Sequence, residues 1–505
     1  MAQGSKVSLA VSVLSRLSAS GPSRPRPRPP TTHSVPARLV FAATTSDTSS
    51  ENATGTTTTR ATLHFLVTAT FPPTKEKPPT RTSATFEFAS SVQYNEAMAA
   101  FKRAGIACPQ FDAQAGLAPR KPVYFFVNPF GGVKEAVKIF DSLINPMLET
   151  AGIPFERLDT QFKGHAEEVV QKVDYTKYSA LVAVSGDGVL HEVVNGIMSR
   201  RDWRAARTVP IGTIGAGSSN AMNPNLGHHF PEYGILSIIK NTTRPMDIIS
   251  ITFHESRKVV YSHLNMAWTY IADLDIESDQ FRWMGREKTT LSALNRLFRL
   301  RKYRANIGIL PLDLSPRHDQ DLDPTKLDPI QTDPTDTTTF YGPTRYFTHN
   351  HAATDQTTFP LQITPAQTPL YYFTANNLPY ISSTFKASNN VTMASSCMEV
   401  TYNSERKVSR MGMIQSLLNE RVPDDLKAMG VTSVQARAFR LDPLGWGWGM
   451  HEWKRGSEEV EKGKLIKDVG GHIAISGEPY SMESVTVEAH DKMINMICAS
   501  WLDED

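Results

Sequence analysis

Ser185-Gly186-Asp187-Gly188-Val189-Leu190-His191-Glu192-Val193-Val194-Asn195-Gly196 follows directly on the apolar run Ala180-Leu181-Val182-Ala183-Val184. The run predicts a buried strand that breaks at two glycines around an aspartate, and the residues after it predict a helix. Open α/β sheets place their ligands outside strand ends of this kind. Glycines on both sides of Asp187 let the backbone turn sharply and approach a ligand, and the amides opening the helix at Val189 can point at phosphate oxygens. A carboxylate repels a bare phosphate. Asp187 is therefore read either as the acceptor of a proton from a hydroxyl nucleophile or as the holder of a magnesium ion that neutralises phosphates. An isolated Gly-Asp-Gly is more often an ordinary turn that caps a helix, so neighbouring elements must decide.

Upstream, Pro122-Val123-Tyr124-Phe125-Phe126-Val127 is followed by Asn128-Pro129-Phe130-Gly131-Gly132 and then by apolar residues at helical spacing, Val137, Phe140, Leu143, Ile144, Met147 and Leu148. A strand, a glycine loop and a helix in this order can cradle phosphates, although the loop has the spacing of neither common nucleotide fingerprint. Phe155 to Thr160 predicts a short strand leading into a helix from His165. Downstream, Thr208-Val209-Pro210-Ile211-Gly212-Thr213-Ile214-Gly215-Ala216-Gly217-Ser218-Ser219-Asn220-Ala221 repeats the strand-then-small-residue order. Four strand ends are thus expected to face one cleft.

Together these blocks resemble the lipid kinases that share a diacylglycerol-kinase catalytic domain, and most closely the sphingosine (long-chain-base) kinases. The Asn-Pro-x-Gly-Gly loop, Ser-Gly-Asp-Gly with His-Glu-Val-Val-Asn-Gly after it, and the Ala-Gly-Ser-x-Asn-Ala loop stand in the family's order. Leu264 to Ser278 looks like the family's segment for the sphingoid head group. Ser185, where diacylglycerol and ceramide kinases usually carry glycine, also favours a sphingoid base. The likeness is dense from about Lys121 to Pro311 and patchy from Thr368 to Trp501.

The resemblance implies an α/β Rossmann-like kinase domain followed by a mostly antiparallel β-sandwich, with the active site in the cleft between them. It implies ATP with Mg2+ as cofactors, Asp187 as general base toward a primary hydroxyl, and Ser185 to Gly188 with Asp275 at the substrate. A carboxylate at Asp275 would gain a charge-assisted hydrogen bond to the ammonium of an amino alcohol, a group that diacylglycerol lacks. The nucleotide contacts it implies are Asn128, Pro129, Phe130, Thr160, Gln161, Phe162, Lys163, Gly164, Glu192, Gly217, Ser218, Ser219, Arg282, Lys288, Ser476, Gly477 and Glu478. Residues that hold the metal are not identified. Arg282 and Lys288 also fit a solvated basic face, and Glu192 also fits a plain carboxylate on a helix surface. His191 is read as a packing residue or one that acts through a neighbour, because no nucleophile partner or metal-ligand spacing accompanies it.

The sequence departs from the family pattern at several points. Ser219 replaces a glycine, Lys288 an arginine, and Ser476-Gly477-Glu478 an Asp-Gly-Glu; lysine keeps the charge but loses the bidentate fork. Ser395-Ser396-Cys397-Met398-Glu399 lacks the Asp-Gly pair common in relatives. These changes bear on nucleotide affinity more than on fold, and they keep a catalytically weak, lipid-binding scaffold as the alternative from another class. A diacylglycerol or ceramide kinase is the alternative within the class.

The chain has 505 residues and a formal net charge of +2, which leaves no electrostatic footprint for nucleic acid. Its three cysteines, Cys108, Cys397 and Cys498, have no paired spacing and argue for a reducing compartment, with neither a zinc site nor a disulfide framework. No run approaches the roughly 18 apolar residues of a membrane span. The expectation is a cytoplasmic enzyme that meets its lipid at a membrane surface from the water side.

Residues 1–60, rich in Ser, Thr, Pro and Arg, predict a disordered tail, with a transit peptide over Met1 to Ser20 as the lesser reading. Residues 61–115 predict a partial β-module ending in a helix. The kinase domain is assigned to 118–245 and the β-rich lipid-binding region to 246–505, with surface insertions at 312–368 and 442–468. Thr289 to Arg304 places Leu291, Leu294, Leu297 and Phe298 at helical spacing beside five basic residues, as either an interfacial helix or a core-packed one.

Overall fold

The computed structural model describes residues 40–46, 59–67, 78–88, 91–103, 106–114, 116, 118–132, 134–217, 220–278, 301–314, 356, 359–363, 369–403, 409–419, 430–447 and 472–502. Three strands come first, β1 (Val40–Ser46), β2 (Thr59–Val67) and β3 (Thr80–Phe88), in an antiparallel meander backed by helix Ser91–Arg103. Met98 and Phe101 of that helix pack with Val40, Leu63 and Phe88. The module therefore begins inside the stretch read as a disordered tail. Ala42 and Ala43 of β1 are buried, and the small apolar segment gains its stability by pairing with His64 and Leu63 rather than from composition.

Next come the parallel strands β4 (Val123–Val127), β5 (Phe155–Asp159), β6 (Ala180–Ser185) and β7 (Ile211–Gly215), ordered β7-β6-β4-β5. Every residue of β6 is buried, as expected for a central parallel strand covered on both faces. Helices Ala136–Ile139 and Asn145–Thr150, joined through the π-turn Phe140–Ile144, and helix Pro231–Lys240 pack with Val123, Phe125 and Val182. Helices His165–Lys172 and Asp187–Met198 pack with Phe126, Leu181 and Ala183. Successive residues of each strand point to opposite faces, so these two helix groups occupy the two sides of the sheet.

The remaining strands are β8 (Thr243–Phe253), β9 (Val259–Ser262), β10 (Asn265–Thr269), β11 (Lys302–Pro311), β12 (Leu361–Ile363), β13 (Tyr372–Asn376), β14 (Met398–Asn403), β15 (Val431–Gly447), β16 (His472–Ile475), β17 (Glu478–Ser481) and β18 (Val485–Ile497). They pair antiparallel, and the C-terminal region is sheet-rich. β18 joins the regions: Val485 to Ile497 runs antiparallel along β8, while Met496 pairs parallel with Ile211 of β7. The described strands from β4 onward consequently form one mixed sheet.

Several expected boundaries shift. A division between residues 245 and 246 cuts β8, whose Pro245 and Met246 both pair with β18. β12 lies inside the 312–368 stretch and β15 runs to Gly447, inside 442–468, because both are held by pairing with β11. Lys302 to Arg304, expected at the end of an amphipathic helix, form the start of β11, with Tyr303 buried between two more exposed basic residues. The helix expected over Thr289 onward otherwise lies outside the described residues, as do residues 1–39. Among the described residues no helix is long and apolar enough to cross a membrane.

Candidate active site

The loops after β4, β5, β6 and β7 start along a common line. The N–H of Asn128 donates to Val184 O (3.1 Å), that of Thr160 to Val127 O (2.8 Å) and that of Ala216 to Ser185 O (2.9 Å), which extends the parallel ladder past the strands. Asn128 then ties two loops together. Its Oδ1 accepts from the N–H of Phe130 (2.9 Å), and its Nδ2 donates to Ser185 Oγ (3.3 Å). Phe130 is left 67% exposed beside this turn. Asn220 locks the loop after β7 in a similar way, accepting from Gly217 N (3.1 Å) and donating to Gly217 O (2.9 Å). Gly217 lies so close to Gly186 that a Cβ on it would stand 2.7 Å from Gly186 Cα. The backbones of the loops after β6 and β7 meet in space that only hydrogen atoms can share.

Asp187 opens helix Asp187–Met198 and is half-buried. Its carboxylate accepts from the N–H groups of Ala221 (2.8 Å) and Met222 (3.2 Å), at the start of the short helix Met222–Asn225. Burial pushes its pKa up to about 6, and the two amides pull against that rise. A carboxylate of this strength is ionised at neutral pH yet basic enough to take a proton from a polarised hydroxyl. Two oxygens offer about four acceptor positions, so two amide bonds leave capacity for a substrate hydroxyl. The turn-capping role and the base role are compatible.

Glu192, five residues on, faces a different helix. Its carboxylate accepts from the N–H groups of Gly164 (2.8 Å) and Ala166 (3.1 Å), capping helix His165–Lys172 from outside. Gly164 precedes that helix with φ 91°, a left-handed turn that suits glycine. Glu192 therefore sets the height of the Thr160–Gly164 loop. Gln161 donates its N–H to His165 Nδ1 (3.2 Å), and Phe162, 52% exposed, stacks on the His165 ring at 4.8 Å. Glu192→Ala is expected to leave two helix-terminal amides without acceptors, a loss of roughly 1–3 kcal/mol. The check is denaturant unfolding, where stability should fall by that amount.

The β16–β17 hairpin reaches the site from the other end of the chain. Ser476 and Gly477 have φ 49° and 80°, the consecutive left-handed residues that tight hairpins favour. The hairpin separates the two side chains. Ser476 turns inward, buried, with its Oγ 2.7 Å from Ser262 Oγ, so its hydroxyl is engaged by the sheet and not by the loops. Glu478 turns outward to Lys163 Nζ at 2.5 Å, and its Oε1 would lie 2.7 Å from a Cβ built on Gly188. With Lys163 71% exposed, the ion pair itself contributes on the order of 1 kcal/mol or less. Its importance is where it puts Glu478.

Asp275 lies in helix Tyr270–Ser278. In the same helix the buried Asp273 accepts from Tyr303 Oη at 2.8 and 2.7 Å and from Arg301 Nη1 at 3.1 Å, anchoring the helix to β11. Sequence reading passed over Asp273, Asn220 and Tyr480. Asn220 carried a local signal, an amide three residues after a loop glycine. The partners of the other two are remote, and no spacing reveals them. Ser218, Ser219, Arg282 and Lys288 lie outside the described residues.

Residues 122–251 match the model of the diacylglycerol kinase catalytic domain. Over 199 residues the chain is 41% identical to sphingosine kinase 1 of Arabidopsis thaliana, covering 38% of this chain and 40% of the plant protein. It is 36% identical over 208 residues to sphingosine kinase 1 of Homo sapiens, covering 39% of this chain and 54% of the human protein. It is 33% identical over 196 residues to sphingoid long chain base kinase 4 of Schizosaccharomyces pombe, covering 39% of this chain and 42% of the yeast protein. The matched region thus spans about half the length of these curated relatives or less.

Proposed function

As a relative of the sphingosine kinases within the diacylglycerol-kinase catalytic family, this chain is, we propose, an ATP-dependent kinase that phosphorylates the primary hydroxyl of a sphingoid base. The observation that carries the reading is the meeting of a half-buried Asp187, with its pKa raised to about 6, and two loops whose backbones close at Gly186 and Gly217. This packing leaves no room for a side chain and fixes the two loops against each other, so that their amides are held in place for phosphate oxygens.

In this reading the Asn128–Gly131 and Gly217–Asn220 loops bind the phosphates of ATP, and the Thr160–Gly164 loop, held by Glu192, closes the site. Asp187 takes the hydroxyl proton as the oxygen attacks the γ-phosphorus; the bond from that phosphorus to the β-bridging oxygen breaks and ADP leaves. Among the described residues no cluster of three or more His, Cys, Asp or Glu side chains is placed to hold a metal. Magnesium usually relies on one or two carboxylates plus the substrate phosphates, so Glu478 would be its protein partner, and the ion would supply neutralisation of the phosphate charge. Asp275 is the proposed partner of the substrate ammonium, and the lipid is taken from a membrane surface.

Transfer of labelled phosphate from ATP to a panel of sphingoid bases, ceramide and diacylglycerol tests the assignment. Sphingoid bases are expected to be the preferred acceptors; transfer to diacylglycerol with none to any free sphingoid base overturns the substrate. Asp275→Asn is expected to raise KM for the amino alcohol about tenfold or more, in keeping with the loss of a charge-assisted hydrogen bond. An equal loss in ATP binding would count against its role.

A further inference from the structure

His191 and Tyr480 join the two structures that bring carboxylates to the site. His191 Nε2 lies 2.9 Å from Tyr480 Oη, linking helix Asp187–Met198 to β17. Gly188 and His191 are three residues apart and share one face of the helix. Glu478 and Tyr480 are two apart and share one face of the strand. The contact consequently has two rungs: Gly188 against Glu478, and His191 against Tyr480.

Both ends of the second rung are fixed. The Tyr480 ring lies 5.8 Å from that of Phe253, and Lys258 Nζ sits 5.1 Å over it. His191 is buried, and burial drives its pKa down to about 3, so the ring is neutral and offers one donor and one acceptor. Asn195, one turn further along, donates to His191 O (2.8 Å) and Tyr261 O (2.9 Å) and accepts from Tyr261 N (2.8 Å), which fastens the helix to β9. The first rung is different, because the Glu478 side chain that lies against Gly188 is partly exposed, as is the Lys163 it pairs with.

We infer that His191 and Tyr480 are a positioning pair: their hydrogen bond holds the β16–β17 hairpin at the height where Glu478 serves the nucleotide, in fixed relation to Asp187. This rests on the proposed kinase reading for what Glu478 serves, but its test does not need lipid transfer. Tyr480→Phe keeps the ring packing and removes only the bond.

In the full chain, ATP binding is measured by calorimetry with magnesium present, alongside melting temperature and labelled phosphate transfer. Tyr480→Phe is expected to weaken ATP binding, and to raise KM for ATP, about five- to tenfold with kcat within about twofold. Glu478→Gln should cost little more in the Tyr480→Phe background than Tyr480→Phe does alone, because the carboxylate is already misplaced. His191→Gln, which can still bond the phenol, should bind ATP better than His191→Leu. Unchanged ATP affinity in Tyr480→Phe, or full additivity with Glu478→Gln, overturns the inference. A wild-type chain that binds ATP but phosphorylates no lipid would overturn the proposed function and leave the pair standing.

Discussion

Asp187→Asn is expected to lower phosphate transfer by about 10²- to 10⁴-fold, the usual contribution of a positioned general base. In the wild type, kcat should fall as pH drops below about 6, where burial sets this carboxyl. Stability gives an independent signature. The folded pKa of Asp187 is raised above the ordinary 3.8, so its contribution to stability is fully present below about 3.8 and is lost as pH rises through about 6. The ionised carboxylate at neutral pH then costs on the order of 3 kcal/mol. Asparagine carries no such cost, although its amide group leaves one of the Ala221 and Met222 amides poorly matched. Melting curves from pH 4 to pH 7 should therefore show the variant gaining on the wild type as pH rises. Undiminished transfer by the variant would remove Asp187 as the base.

The second large effect is expected at Gly217. An alanine Cβ would stand 2.7 Å from Gly186 Cα and 3.0 Å from Gly186 N, both backbone atoms that cannot swing aside. Forcing the loops apart costs roughly 1–3 kcal/mol, so Gly217→Ala should weaken ATP binding about ten- to hundredfold. Gly188→Ala is the informative contrast. Its Cβ meets only the tip of the flexible Glu478 side chain, at 2.7 Å, so a few-fold loss is expected as that carboxylate moves off. Calorimetric titration of both variants checks the order, and equal affinities would dismiss the phosphate-loop reading of the Gly186–Gly217 approach.

What could be read in the sequence was local. Ala180 to Val184 announced a buried strand, Gly186 to Gly188 its break, and Asn128 to Gly132 a loop at the neighbouring strand end; each signal lies within a dozen residues. Residues whose partners are remote gave no such signal. Glu192 looked like a ligand candidate or a plain surface carboxylate, and its capping of Gly164 and Ala166 left no trace in the sequence. Ser476 looked like a substituted nucleotide contact, while its hydroxyl meets Ser262. At β1, a run of small apolar residues is hidden within a Ser- and Thr-rich stretch until β2 pairs with it. At Lys302 to Arg304, the spacing of Leu291, Leu294, Leu297 and Phe298 extended a helical reading into residues that alternate as a strand. In each case tertiary pairing overrode local pattern.

The path of β18 has a consequence for how the protein is made. The hydrogen-bonding edge of β7 meets Met496, and most of β8 lies against Val485 to Ile497, so the parallel sheet waits for a segment synthesised long after its own strands. Such distant pairing slows folding, because loop-closure entropy is lost before any contact rewards it. During that interval the nascent chain carries an open, apolar strand edge at Ile211 to Ile214, the kind of surface that recruits other chains. Translation pauses, chaperone supply and any truncation before Val485 should thus govern the yield of this protein more than the strength of its finished core.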